Sequence, residues 1–124
     1  MKRLGVIILL MAFALGISAQ ENKDSLRGMA DSLSNVVSSA YKKGDYYEAL
    51  DAQQQVVDIY EKTGNTNNQT YVLALNDLAD YYSALCNYQK AIEIGLKSLK
   101  TEESIFGKNN MDYVNLSSNL ALYY

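Results

Sequence analysis

The side chains able to do chemistry are few. The 124 residues hold no histidine, no tryptophan and one cysteine, Cys86, which removes most catalytic triads and most zinc sites. A nucleophile would need a lysine or a carboxylate as its base, and no Ser–Lys spacing supplies one. Asp77, Asp80 and Glu93 read as carboxylates on helix surfaces. The chain is therefore expected not to be an enzyme, and to need no cofactor or metal. Short amides and hydroxyls make up much of the remaining polar set, and an amide both donates and accepts. The eleven tyrosines invite a sugar-stacking reading, but most fall at packing positions. Asn68-Gln69-Thr70 and Asn115-Leu116-Ser117 match a glycosylation sequon, which matters only in a host that glycosylates.

Charge and the N-terminus narrow the setting. Lys2 and Arg3 precede an apolar run, Leu4 to Leu15, and a small residue, Ala19, stands before Gln20. A basic start, a short apolar stretch and a small residue make a secretory leader over residues 1–19, too short for a comfortable membrane span. The expected location is periplasmic or extracellular. With Lys2 and Arg3 set aside, nine of the 11 basic side chains remain against 14 acidic ones, a balance of −5. That balance repels phosphate backbones and anionic lipid, so neither nucleic acid nor membrane is an expected partner beyond the leader. A lone cysteine allows no internal disulfide, so stability must come from packing.

Helical periodicity organises the rest. Residues 20–28 are polar at first and read as a linker. Leu26, Met29, Ala30, Leu33, Val36, Val37 and Ala40 follow helical spacing. Gly44 stops that helix, and Asp45 with Glu48 forms a capping box for the next. The second helix ends near Gly64. A third runs from about Thr70 to Leu85, Asn87 caps a fourth that ends before Gly107, and a fifth begins near Asp112. No segment alternates with period two, so the fold class is all-α.

The segment YVLALNDLADYY at Tyr71–Tyr82 returns, 42 residues on, as YVNLSSNLALYY at Tyr113–Tyr124. A helical unit repeated at fixed period is the mark of a solenoid, whose units cover one another's apolar faces. Leu75, Leu78, Ala79, Tyr82, Tyr88 and Ala91 stand at the spacing of the tetratricopeptide repeat. The 42-residue period, longer than the usual length of about 34, resembles the kinesin-light-chain type. So do LNDLADYY (Leu75–Tyr82), NYQKAI (Asn87–Ile92) and SIFGKNN (Ser104–Asn110). The units expected are 29–70, 71–112 and an incomplete third over 113–124, stacked as antiparallel helix pairs in an α-solenoid. Ala91, Gly95 and Ser98 form a narrow face for close helix approach. Gln53 stands at the place of Gly95 in the first unit, which predicts looser packing there. Cys86 occupies the turn position of Gly44, where a left-handed backbone would disfavour it.

The resemblance implies a protein-binding scaffold whose ligand lies on the concave surface lined by the first helix of each pair. The implied positions are Asp31, Ser34, Ser38 and Tyr41 in the first unit and Leu73, Asn76, Asp80 and Ser83 in the second. In the third they are Asn115, Ser118 and Leu122. The Lys, Asn and Arg set of a carboxylate clamp is missing from them. An alternative reading makes the chain the N-terminal sensor or recruitment region of a larger protein with a signalling or protease-like part downstream. Without a partner helix in the third unit, Leu116, Leu120 and Tyr123 are expected to have nothing from that unit to pack against, which predicts marginal stability or self-association through that helix.

Overall fold

Four of the five helices among the described residues open on an Asx residue whose side chain accepts from the backbone N–H three residues on. Asp45 takes the N–H of Glu48 at 3.1 Å, Asn68 that of Tyr71 at 2.9 Å, Asn87 that of Lys90 at 3.2 Å and Asn110 that of Tyr113 at 2.8 Å. Each bond satisfies a donor that the first helical turn leaves free. The Asp45 box is only half made, because the Asp45 N–H donates to the Ala40 carbonyl at 2.9 Å.

The computed structural model describes residues 19–124. They form α1 (Ala19–Lys43), α2 (Tyr46–Lys62), α3 (Gln69–Ala84), α4 (Tyr88–Phe106) and α5 (Met111–Ala121), with no strand among the described residues. The leader expected over residues 1–19 lies outside them except for Ala19. The helices stack in chain order, α1 on α2, α2 on α3, α3 on α4 and α4 on α5, an all-α solenoid of antiparallel pairs as expected. None of the described helices is long and apolar enough to cross a membrane.

One expected boundary is corrected. Residues 20–28 are not a linker but the opening turns of α1. Polar composition loses to packing here, because Leu26 and Ala30 bury against Ile59 of α2, and a helix carrying a buried stripe continues through its polar face.

Each of the first three interhelical turns uses the same C-terminal device. Gly44, Gly64 and Cys86 adopt φ of 75°, 69° and 62°, and the residue after each donates to a carbonyl five residues back: Asp45 to Ala40, Asn65 to Tyr60 and Asn87 to Tyr82. Cys86 thus holds a left-handed conformation that suits glycine, at a cost of about 1–2 kcal/mol. Its side chain is exposed. Cys86→Gly will therefore stabilise the chain by about 1 kcal/mol, part of the gain being offset by the freer unfolded backbone. Thermal melts followed by circular dichroism should show a rise of several degrees; a fall would mean that the thiol makes a contact worth more than the strain.

Across the outer side, Glu61 ties three helices together. Its Oε2 accepts from the Tyr71 hydroxyl and from Lys97 Nζ, each at 2.6 Å. Burial alone would raise its pKa, but these two donors outweigh burial and hold the carboxyl below its usual range.

Candidate functional site

Between α1 and α3 lies a groove of about 450 Å³. Helix α1 lines it with Ser34, Val37, Ser38, Tyr41 and Lys42, and α3 with Thr70, Leu73, Ala74, Asp77 and Tyr81. Gln53, Val56 and Tyr60 of α2 form the floor. The α1 residues fall at i, i+3, i+4, i+7 and i+8, and Thr70, Leu73, Asp77 and Tyr81 are spaced three or four apart, so each wall is one stripe of a helix.

The corresponding seam between α3 and α5 is bridged. Asn119 Nδ2 donates to Asn76 Oδ1 at 3.4 Å, and the Tyr123 hydroxyl donates to Asp80 Oδ1. No hydrogen bond joins the side chains lining the two walls of the α1–α3 groove; its walls approach where the Tyr41 and Tyr81 rings lie 6.1 Å apart at 48°. The reason is found on the second helix of each pair. At Gly95 a Cβ would stand 3.0 Å from Leu120 Cδ1 and 3.4 Å from Tyr123 Cε2, so glycine admits α5 against α4. At the matching place, 42 residues earlier, Gln53 is buried and donates from Nε2 to the Ala74 carbonyl of α3 at 2.9 Å. The longer side chain fills this position and tethers α3 instead of leaving slack.

The implied ligand positions are thus divided. Ser34, Ser38, Tyr41 and Leu73 come together in the groove. Both serines donate to their own helix, Ser34 to the Ala30 carbonyl at 2.9 Å and Ser38 to the Ser34 carbonyl at 3.1 Å, and each hydroxyl oxygen keeps its capacity to accept. Asp31 is exposed on α1, near enough for its charge to raise the Tyr60 pKa behind the larger effect of burial. Asn76 and Asp80 belong to the bridged α3–α5 seam. Ser83 is half-buried beside the turn, its carbonyl accepting from the Cys86 N–H at 2.9 Å. Asn115, Ser118 and Leu122 are exposed on or after α5, apart from the groove. Leu116, Leu120 and Tyr123 pack on the preceding unit: all three are buried, the last two against Ala79 and Ala91. The apolar side chains that α5 and its end do expose are Met111, Val114, Leu122 and Tyr124.

Sequence reasoning missed Asp77 and Tyr81. Asp77 is open to solvent, yet its carboxylate stands inside the concavity with protein on several sides. That desolvation, with the charge of Asp80, raises its pKa from 3.8 to about 6. Tyr81 is buried, and burial with the Asp77 charge pushes its hydroxyl up to about 12. Asp77 makes no hydrogen bond or ion pair with any described residue. Their i, i+4 spacing one residue out of step with Asn76 and Asp80 was the available signal.

The raised Asp77 pKa has a stability consequence. Between pH 3.8 and about 6 the folded chain keeps a proton that the unfolded chain has released, so the contribution of Asp77 is most favourable below that interval and lost as pH rises through it. Asp77→Asn is expected to stabilise at pH 7.5 by about 1 kcal/mol, solvent screening being allowed for, and to do nothing at pH 4. Urea unfolding at the two pH values checks this; an equal gain at both would remove the electrostatic explanation.

The family follows from the whole arrangement of capped antiparallel pairs, left-handed turns and a 42-residue period. No curated protein matches the chain. A family model described as the tetratricopeptide repeat matches residues 28–104, from within α1 to near the end of α4, and the long period is compatible with the kinesin-light-chain type. The chain belongs to the tetratricopeptide repeat family, whose repeats serve as scaffolds for protein–protein interaction.

Proposed function

We propose that the chain is an exported scaffold that holds an extended segment of a partner protein in the groove between α1 and α3. The observation that carries this reading is the open α1–α3 seam: a groove of about 450 Å³ with hydroxyls, a carboxylate and aromatic rings on its walls, in a solenoid whose next seam is bridged by side chains. Its size falls within the range of binding clefts, ~300–1,000 Å³. Lys2, Arg3 and the apolar run before Ala19 support export. The mature N-terminus would then be Gln20, which mass spectrometry of the exported protein reads directly.

The docking reading is tested with a photo-crosslinking amino acid placed at Ser38 in the groove, and at Ser118 on the exposed side of α5, in the native host. A partner captured from Ser38 and not from Ser118, and lost when Leu73 is changed to Arg, agrees with groove docking. Capture from Ser118 with none from Ser38 would place the interface elsewhere.

A further inference from the structure

Resting on that reading of the groove, we propose that the segment it receives is basic, presenting a Lys or Arg side chain to the Asp77 carboxylate and the face of Tyr41. Three independent observations converge on this chemistry. Asp77 has no cation or donor among the described residues, so the α3 wall of the groove carries a carboxylate without a hydrogen-bond or ion-pair partner. Among the residues lining the groove, Lys42 is the single cation.

Tyr41 supplies the second observation. Its ring is 56% exposed although it is held from two sides, edge-on to Tyr46 at 6.0 Å and 72° and tilted to Tyr81 at 6.1 Å. An aromatic face fixed in place and open to solvent in the same groove as a carboxylate is suited to an ammonium or guanidinium group, which ring quadrupole and carboxylate both attract. The third observation is the charge of the chain, 14 acidic residues against 11 basic ones, which favours encounter with a positive partner. An acidic segment would face Asp77 at close quarters, and a purely apolar one would leave Asp77 unpaired in the complex; both lose affinity on this surface.

The same geometry sets a pH response. The groups around Asp77 are Asp80 on its own helix, Tyr81 on its own helix, Tyr41 and Lys42 on α1 and Tyr123 beyond α5. Of these, the Asp77 carboxyl is raised from 3.8 to about 6, so a basic ligand should bind more weakly at pH 5 than at pH 7.5.

The test uses the full chain and three sets of fluorescein-labelled twelve-residue peptides in a Gly/Ser background: one rich in Lys and Arg, one in Asp and Glu, one in Leu. Anisotropy is read at 0.15 M salt. The basic set is expected to bind at least tenfold more tightly than the others, to lose about tenfold on Asp77→Asn and severalfold on Tyr41→Ala, and to weaken at pH 5. Ser118→Ala, away from the groove, should leave binding unchanged. Preferred binding of the acidic or apolar set, abolished by blocking the groove with Ser38→Trp, would overturn the basic-ligand proposal and leave the groove reading standing. Binding of any set that Ser38→Trp does not affect, or binding of none, would overturn the groove reading with it.

Discussion

Gly95→Leu is expected to release α5 from the solenoid. A Cβ at this position already lies 3.0 Å from Leu120 Cδ1 and 3.4 Å from Tyr123 Cε2, so three further carbons have no room without displacing α5. Overpacking of this kind costs about 1–3 kcal/mol. The consequence is larger than that figure alone, because α5 has 11 residues and a helix shorter than about 12–15 residues is marginal without tertiary support. Undocking would also break the Asn119–Asn76 and Tyr123–Asp80 hydrogen bonds and bare Ala79 and Ala91, both fully buried. Hydrogen exchange should show amides of residues 111–124 losing protection by at least tenfold while those of α1 and α2 keep theirs. Gly95→Ala should be near neutral, since the gain in helix propensity over glycine, about 0.5–1 kcal/mol, offsets a small shift of the Leu120 methyl. Retained α5 protection in Gly95→Leu would show that some other contact holds α5.

Leu75→Ala should produce the largest loss of global stability. Leu75 is fully buried at the centre of a cluster with Val57, Tyr71, Ala74 and Leu78, and Leu50, Tyr60, Tyr82 and Ile94 pack against the cluster from α2, α3 and α4. Truncation removes the transfer energy of the side chain and leaves a cavity that helices on both sides cannot easily fill, a cost of about 3–4 kcal/mol. For a domain of this size that lowers Tm by on the order of 15 °C, from a total stability of about 5–15 kcal/mol. Leu73 is the control. It stands two positions earlier on the same helix and is 46% exposed, so Leu73→Ala should change stability by no more than about 0.5 kcal/mol. Equal losses in the two variants would mean that the α2–α3–α4 junction is not the core of the fold.

Because a solenoid couples each unit mainly to its neighbours, the two variants should differ in reach. Leu75 is at the centre of the stack and its loss should loosen every helix. Gly95 governs one end, and its substitution should leave the α1–α3 groove intact, including Tyr41, Asp77 and the Gln53 bond to Ala74. Peptide binding to Gly95→Leu therefore separates damage to the stack from damage to the site.

The sequence by itself determined what depends on neighbours three to five residues away. The helices, the Asx caps at Asp45 and Asn87, the turns at Gly44 and Cys86 and the antiparallel stacking were legible because capping bonds, turn dihedrals and apolar stripes are local and repeat every 42 residues. Tertiary structure decided the rest. Residues 20–28 are helical because α2 offers Ile59 to Leu26 and Ala30, and α5 is packed because Gly95 lets it approach α4. The flank of α3 that faces the groove was settled in the same way. One residue along a helix turns the side chain by about 100°, so Asn76 and Asp80 point into the seam with α5 while Asp77 and Tyr81 face α1. Which flank stays open depends on how closely the neighbouring helices approach, and that distance is set by Gln53 in one unit and Gly95 in the next, side chains on a different helix from the one that carries the site.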